Sequence, residues 1–482
     1  MTPLHATARL GDGRLLLDRD AIEQESQRLA SLLHEGGSRV MATLLDNGPE
    51  WVIADLAAAQ AGVVHVPLPV FFTPAQIGHA LQAAGVDTVL AAPVAADALP
   101  PLPRDPVEVA GAIVMRVRLP ARAVAMPQGT AKVTFTSGTT GQPKGVCLTA
   151  HAMDAVAQGL VTALSPLGIH RHLCALPLAV LLENIAGIMA PLRHGATCVV
   201  PPLGEVGLTG SSGFDPAVFH RAVVRHQPNS LILLPQMLRA WTMWLNFQGQ
   251  CAPACLRIVA VGGASVGQAL VQAAQAVGIP ACEGYGLSEG ASVQTLNLPG
   301  AARPGSAGKP LPHTRLRVSP QGEIEIAGSL FAGYLGSEAP VPPWWPTGDL
   351  GHVDEDGFIH VHGRSRNVLI TSFGRNVSPE WVEGALREHS CIAQAVVLGE
   401  AQPALSAVLW PAVPAISDAQ LAQAVAAANA SLPDYARVHR WVRGQAPFDA
   451  ASGMATANGR PQRAAVQALH AAALDLPEPQ TA

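Results

Sequence analysis

Short apolar runs alternate with longer alanine-rich stretches from about residue 40 to residue 290. Residues 40–45, 63–67 and 88–91 are dense in apolar and β-branched side chains, as buried strands are. Between them, residues 51–61 and 74–84 have the composition and length of helices. The pattern returns as a strand over 256–261 and a helix over 268–276. Such alternation predicts an α/β fold with layered, largely parallel sheets. Pro/Gly-rich breaks at 99–106, 201–216 and 337–347 read as surface loops. After Asp349 the texture shifts to short strands (358–361, 368–371) followed by helices, one of them alanine-rich at 419–430. The expected division is a large layered α/β domain over residues 1–362 and a smaller α+β C-terminal domain over 363–482.

Composition narrows the function classes. With 49% hydrophobic and 13% charged residues, the 482-residue chain can bury more than one core, which excludes disorder for its bulk. A formal charge of −5, with no basic cluster interleaved with aromatics, excludes a nucleic-acid partner. Seven cysteines (Cys147, Cys174, Cys198, Cys251, Cys255, Cys282, Cys391) sit mostly in apolar runs, as reduced thiols of a cytoplasmic protein do. Cys251 and Cys255 form a CxxxC pair, without the second pair or spaced histidines of a zinc site. No signal peptide is expected at the N-terminus. The most membrane-like stretch, residues 173–192, holds Pro177, Glu183, Asn184 and Gly187; it reads as a buried helix, not a transmembrane segment.

The densest chemical signal is Thr134-Phe-Thr-Ser-Gly-Thr-Thr-Gly-Gln-Pro-Lys-Gly145, directly after a strand-like run at 131–135. Thr136, Ser137, Thr139 and Thr140 supply hydroxyl donors. Gly138 and Gly141 let backbone N–H groups turn inward as an anion nest, and Lys144 adds a compact charge. The loop suits a phosphate but lacks the GxxxxGK[ST] order of a Walker loop.

This string resembles the phosphate-binding signature of the adenylate-forming superfamily: acyl-CoA synthetases, peptide-synthetase adenylation domains and firefly luciferase. Further motifs follow in that family's order: Gly284-Tyr-Gly-Leu-Ser-Glu289, Trp345-Pro-Thr-Gly-Asp349, Gly363-Arg364, and Arg460 within Thr456-Ala-Asn-Gly-Arg-Pro-Gln-Arg463. Ser372-Phe-Gly-Arg-Asn-Val-Ser-Pro-Glu-Trp381 is most similar to bacterial long-chain acyl-CoA synthetases. The resemblance implies ATP-dependent activation of a small carboxylic acid, fatty or otherwise apolar, to acyl-AMP. Transfer to coenzyme A follows, or to the phosphopantetheine of a separate acyl carrier protein. It implies Mg²⁺ on Glu289, Ser288 aimed at the α-phosphate, and an adenine slot from Gly263, Ala264, Glu283, Gly284 and Tyr285. It also implies ribose contacts from Asp349 on one side and Arg364 on the other, and coenzyme A or phosphate contacts at Gly374 and Arg375. The small domain would be mobile, turning about a hinge at 364–366 centred on Arg366. Lys144, Ser288 and Arg460 would carry catalysis.

The sequence departs from the family in two places. Val180 stands in Leu176-Pro-Leu-Ala-Val180 where the synthetases often have a gating histidine, and Arg460 stands where the small domain has its adenylation lysine. Only three lysines occur in the chain: Lys132, Lys144 and Lys309. A nucleotide-binding protein that has lost its chemistry is therefore an alternative. So is a serine hydrolase, because GxSxG occurs at Gly263–Gly267 and at Gly286–Gly290, followed by Asp349, His352 and His360.

Overall fold

The computed structural model describes residues 4–97, 99, 102–120, 122–136, 144–210, 213–264, 266–370, 372, 376–400, 402–456 and 460–474. Two large sheets carry most of the chain up to residue 335. One has eight strands built around parallel Val40–Leu44, Val64–Pro67 and Thr88–Ala91. The hairpin Thr130–Thr136/Lys144–Thr149 extends one side. The hairpin Arg104–Val109/Ala112–Arg118 closes the other. The second sheet has nine strands, with Thr197–Val199, Arg171–Leu173, Ser230–Leu233, Ile258–Val261 and Ala281–Leu287 parallel in that spatial order.

The helix Pro49–Ala61 shows why the layers pack this way. Apolar side chains make up most of it, and nine of its thirteen residues are buried. It carries one buried acid, Asp55, which must find partners inside the protein. Thr314–Val318, Glu323–Gly328, Trp345–Val353 and Ile359–Arg364 then form a four-stranded antiparallel sheet. Ile392–Leu398, Leu405–Pro411 and Val438–Arg443 form a three-stranded sheet with the helices Pro379–Arg387, Asp418–Ser431 and Arg463–Leu474, around apolar cores of their own.

Several expectations change. The stretch 99–106 is not all loop, because the strand Arg104–Val109 starts within it; Pro106 is tolerated there on a sheet edge, where a missing N–H costs no ladder bond. The stretch 201–216 contains a 3-10 turn, Leu203–Val206, and a short pairing of Leu208–Thr209 with Gly213–Phe214. Residues 173–192 are not one helix. The strand Arg171–Leu173 ends there, and a π-helix, Glu183–Met189, follows Pro177 and continues as Ala190–His194. Among the described residues no helix is long and apolar enough to cross a membrane. All seven cysteines are free; Cys147, Cys174, Cys198 and Cys282 are buried, whereas Cys251 is exposed.

Candidate active site

The site forms where parallel strands of the nine-stranded sheet end, the usual place for ligands in such sheets. Gly262, Gly263 and Ala264 leave the strand Ile258–Val261 beside Glu283, which pairs with Val261. Gly263 has φ +84°, a conformation that side chains resist. Glu283 Oε1 accepts the Val266 N–H at 3.1 Å, and burial pushes the carboxyl up to about 7. Its own carbonyl accepts the Asn297 backbone and side-chain N–H groups, at 2.9 and 3.2 Å.

The next turn is kinked. The ladder between Ala281–Leu287 and Ser292–Leu296 shifts register between Tyr285 and Gly286, and a Cβ on Gly286 would meet Ser292 O at 2.1 Å. Ala291 (φ 56°) and Ser292 (φ 109°) lie in the left-handed region, strain of the kind that collects at working sites. The kink carries Tyr285 toward the four-stranded sheet, where its hydroxyl donates to Asp349 Oδ2 at 2.7 Å. Asp349 and Arg364 are cross-strand partners, and Arg364 Nε meets Asp349 Oδ1 at 2.7 Å. The two therefore touch each other directly. Burial raises the Asp349 carboxyl above its ordinary range, against the pull of Arg364 and the Tyr285 hydroxyl. Burial and the neighbouring Asp349 hold the Tyr285 phenol well above its usual value.

Ser288 and Glu289 follow in the 3-10 turn Ser288–Gly290. Glu289 Oε1 accepts the Tyr334 hydroxyl at 2.8 Å, and Lys144 Nζ lies 5.7 Å from the centre of the same ring. Lys144 begins its strand opposite Thr136. Ser137, Gly138, Thr139, Thr140 and Gly141, between them, lie outside the described residues.

Tyr334 is the residue that sequence reasoning missed. It is one of only three tyrosines, lies after a Phe-Ala-Gly run, and pairs with Val146 next to Lys144. Its ring packs with Phe331 and Trp345 into an aromatic cluster, centroids 4.7–6.1 Å apart. No periodicity marks it, because its two-residue strand pairs across nearly 190 positions of chain.

The C-terminal region brings two arginines into this neighbourhood. Arg460 keeps solvent access but stands among protein atoms that desolvate it. It lies within electrostatic reach of Arg364, Asp349, Glu289 and Glu380. Arg463, the second candidate, is occupied: its guanidinium meets Glu383 Oε1 at 2.5 Å and Glu380 Oε1 at 3.3 Å. Arg366 lies in the 3-10 turn Ser365–Asn367, directly after Arg364. Gly374 and Arg375 lie outside the described residues.

The structure thus joins Tyr285, Asp349 and Arg364 directly, places Arg460 within electrostatic reach of Arg364, Asp349 and Glu289, and sets Glu289 and Lys144 on the same Tyr334 side chain. It assembles no Ser–His–Asp relay among the described residues. Asp349 is bound to Arg364 and Tyr285, His352 bonds His362 at 2.8 Å, and His360 bonds Asp354 at 3.1 Å.

Residues 20–335 match the AMP-binding enzyme family, and residues 366–476 match the AMP-binding enzyme C-terminal domain. A long-chain-fatty-acid–CoA ligase of Mycobacterium bovis is 28% identical over 429 residues, 75% of this chain and 71% of the relative. A 2-succinylbenzoate–CoA ligase of Bacillus cytotoxicus is 31% identical over 290 residues, 56% of each chain. Among solved structures, an anthranilate CoA ligase in complex with anthranoyl-AMP has a TM-score of 0.79 at 19% identity, over 98% of this chain and 99% of that one. A benzoate CoA ligase from Burkholderia xenovorans has a TM-score of 0.76 at 20% identity, over 94% and 95%. The chain belongs to the AMP-binding enzyme family, within the adenylate-forming superfamily of acid–thiol ligases.

Proposed function

We propose that this protein activates an apolar carboxylic acid with ATP and passes the acyl group to coenzyme A. The observation that carries the reading is the charge cluster in which Arg364 meets Asp349, Arg460 lies within electrostatic reach of Asp349 and Glu289, and Lys144 and Glu289 share the Tyr334 side chain. In the first step a carboxylate oxygen of the acid bonds to the α-phosphorus of ATP, and pyrophosphate leaves. Lys144 and Arg460 offset the charge that develops on the phosphate oxygens, and the Ser288 hydroxyl donates to them. In the second step the thiol sulfur bonds to the acyl carbon, AMP leaves, and the thiol proton goes to solvent.

Glu289 fits a Mg²⁺ role. It is a hard oxygen donor of which one oxygen holds only the Tyr334 hydroxyl, and Mg²⁺ bound to ATP needs few protein ligands. Bound there, the ion would neutralise phosphate charge. For Asp349 to accept ribose hydroxyls, it must share its oxygens with Arg364 and Tyr285, which the surplus lone pairs of a carboxylate allow. The domain division at residues 362/363 and a hinge at 364–366 belong to the same reading, since Arg460 must approach for the first step and withdraw for the second.

The acid is fatty or aromatic, not an α-amino acid. Asn47 pins the segment after Leu176, through Leu176 O at 2.9 Å and Leu178 N at 2.8 Å. Glu183, the first acid after Leu176 along the chain, is fully buried against His172. A bound ammonium would find no counter-charge there. Pyrophosphate release across fatty, aromatic and α-amino acids tests this: turnover is expected with the first two classes, and an amino acid as best substrate would overturn it.

A further inference from the structure

Away from these residues, the described residues hold one buried cluster of side chains able to share a metal ion. His172, Cys174 and Glu183 are all buried, and their ligand atoms lie within 4.8 Å of one another. We propose that this cluster binds a zinc-class divalent cation that ties the π-helix Glu183–Met189 to the strand Arg171–Leu173. The site is separate from any Mg²⁺ that accompanies ATP.

Four observations converge on it. Glu183 is 0% exposed, and its Oε2 has no hydrogen-bond partner, whereas Oε1 meets His172 Nε2 at 3.0 Å. A buried carboxylate oxygen without a partner is costly and rare, and a cation would supply the missing partner. His172 Nδ1 is held by Ser230 Oγ at 2.8 Å, the outer hydrogen bond that metal-bound histidines carry; it aims Nε2 into the cluster. Gly187 leaves the space open, since a Cβ there would lie 2.5 Å from Glu183 Oε1 and 2.8 Å from His172 Nε2. Finally, a second thiol stands by: Cys198 Sγ and Cys174 Sγ both approach Gly187 O, at 3.6 and 3.8 Å. A π-helix is a rare element that recurs at functional positions, and here it offers Glu183 and the Gly187 carbonyl on one face.

The donor set names the ion class. Imidazole nitrogen, thiolate sulfur and carboxylate oxygen together suit Zn²⁺, and are too soft for Mg²⁺ or Ca²⁺. Binding forms a Zn–S bond as the Cys174 thiol releases its proton to solvent. Burial, Glu183 and Cys198 hold that thiol neutral otherwise, so occupancy requires the metal's own charge.

The test is elemental analysis of the full chain, expressed with zinc and purified without chelator, followed by Co²⁺ substitution. About one equivalent of zinc is expected, with a thiolate-to-Co²⁺ charge-transfer band after exchange. Cys174→Ala and Glu183→Gln should each cut metal content by at least ~5-fold and abolish or shift that band. An exposed histidine stack, His352 with His360 and His362 at ring distances of 4.7 and 4.9 Å, could bind metal adventitiously, so His352→Gln is the control and should change nothing. Metal that survives Cys174→Ala but is lost in His352→Gln overturns the proposal. So does a wild-type chain that binds no zinc after refolding with it, or a Co²⁺ form without a thiolate band. The last two readouts use only the wild-type chain and stand even if a variant fails to fold.

Discussion

Two lysines on one hairpin have opposite fates. Lys132 and Lys144 lie on the paired strands Thr130–Thr136 and Lys144–Thr149. Lys132 is 3% exposed, and its ammonium meets Asp55 Oδ1 at 2.8 Å and also bonds Asn184. His65 Nδ1 closes the group on Asp55 at 2.6 Å, and His65 Nε2 meets Thr43 Oγ1 at 2.9 Å. Lys132 and His65 hold the Asp55 carboxyl far below its ordinary range despite the burial that opposes them. Lys144 is exposed, with the Tyr334 ring beneath it. The contrast separates a charge locked among buried partners from one that stands exposed over an aromatic ring. Residue type and strand are the same; burial and partners differ.

Removing the closed charge should have the largest effect. Lys132→Ala leaves Asp55 buried with only His65 and the Asn184 amide as partners, so a stability loss of about 3–5 kcal/mol is expected in denaturant melts. Burial, with the Lys132 charge as a smaller cause, keeps His65 below its usual pKa against the pull of Asp55. Without Lys132 the imidazole should protonate more readily and stand in for it, making the loss smaller near pH 6 than at pH 8. An equal loss at both values would show that His65 does not compensate.

Next come the open charges. Arg460→Ala should lower acyl-AMP formation by ~10²-fold or more, as for a lost transition-state donor, while thioester formation from preformed acyl-AMP survives. Arg460→Lys should retain substantial activity. Arg463 cannot replace it while held by Glu380 and Glu383, so wild-type adenylation in Arg460→Ala would remove the C-terminal region from the chemistry. Lys144→Ala should cut kcat/KM for ATP by ~10–1000-fold. Its stability should stay within about 0.5 kcal/mol of wild type, as at other surface positions. A Lys144 variant that unfolds like Lys132→Ala would erase the distinction between the two lysines.

The smallest effect concerns Glu283. Its carboxyl is pushed up to about 7 from a usual value of 4.5, so the folded state holds its proton more tightly than the unfolded chain. Stability from this group is complete below pH 4.5 and is lost as pH rises through about 7. Glu283→Gln should flatten that slope and gain on the order of 1–3 kcal/mol at pH 8. An unchanged pH dependence in the variant would place the titration elsewhere.

Much of the molecule was legible in the linear order. The strand Thr88–Ala91 and the helix Gln268–Ala276 match the expected bounds, because their residue patterns and turn residues agree with their burial. The hairpin Arg104–Val109/Ala112–Arg118 was missed because its proline sits on an edge, where the usual rule against proline in strands lapses. The π-helix was missed because no periodicity distinguishes it from an α-helix.

By itself the sequence determined the family and the layered α/β class, because these reside in short ordered motifs and in local pattern. Only the tertiary structure decided that Asp349 and Arg364 touch each other, that Tyr334 joins Glu289 and Lys144, and that Arg463 is already engaged. It also decided that Glu183 is buried against His172. The physical reason is common to all four. A charge's role depends on its desolvation and on what lies within a few ångströms, and those neighbours come from segments far apart along the chain.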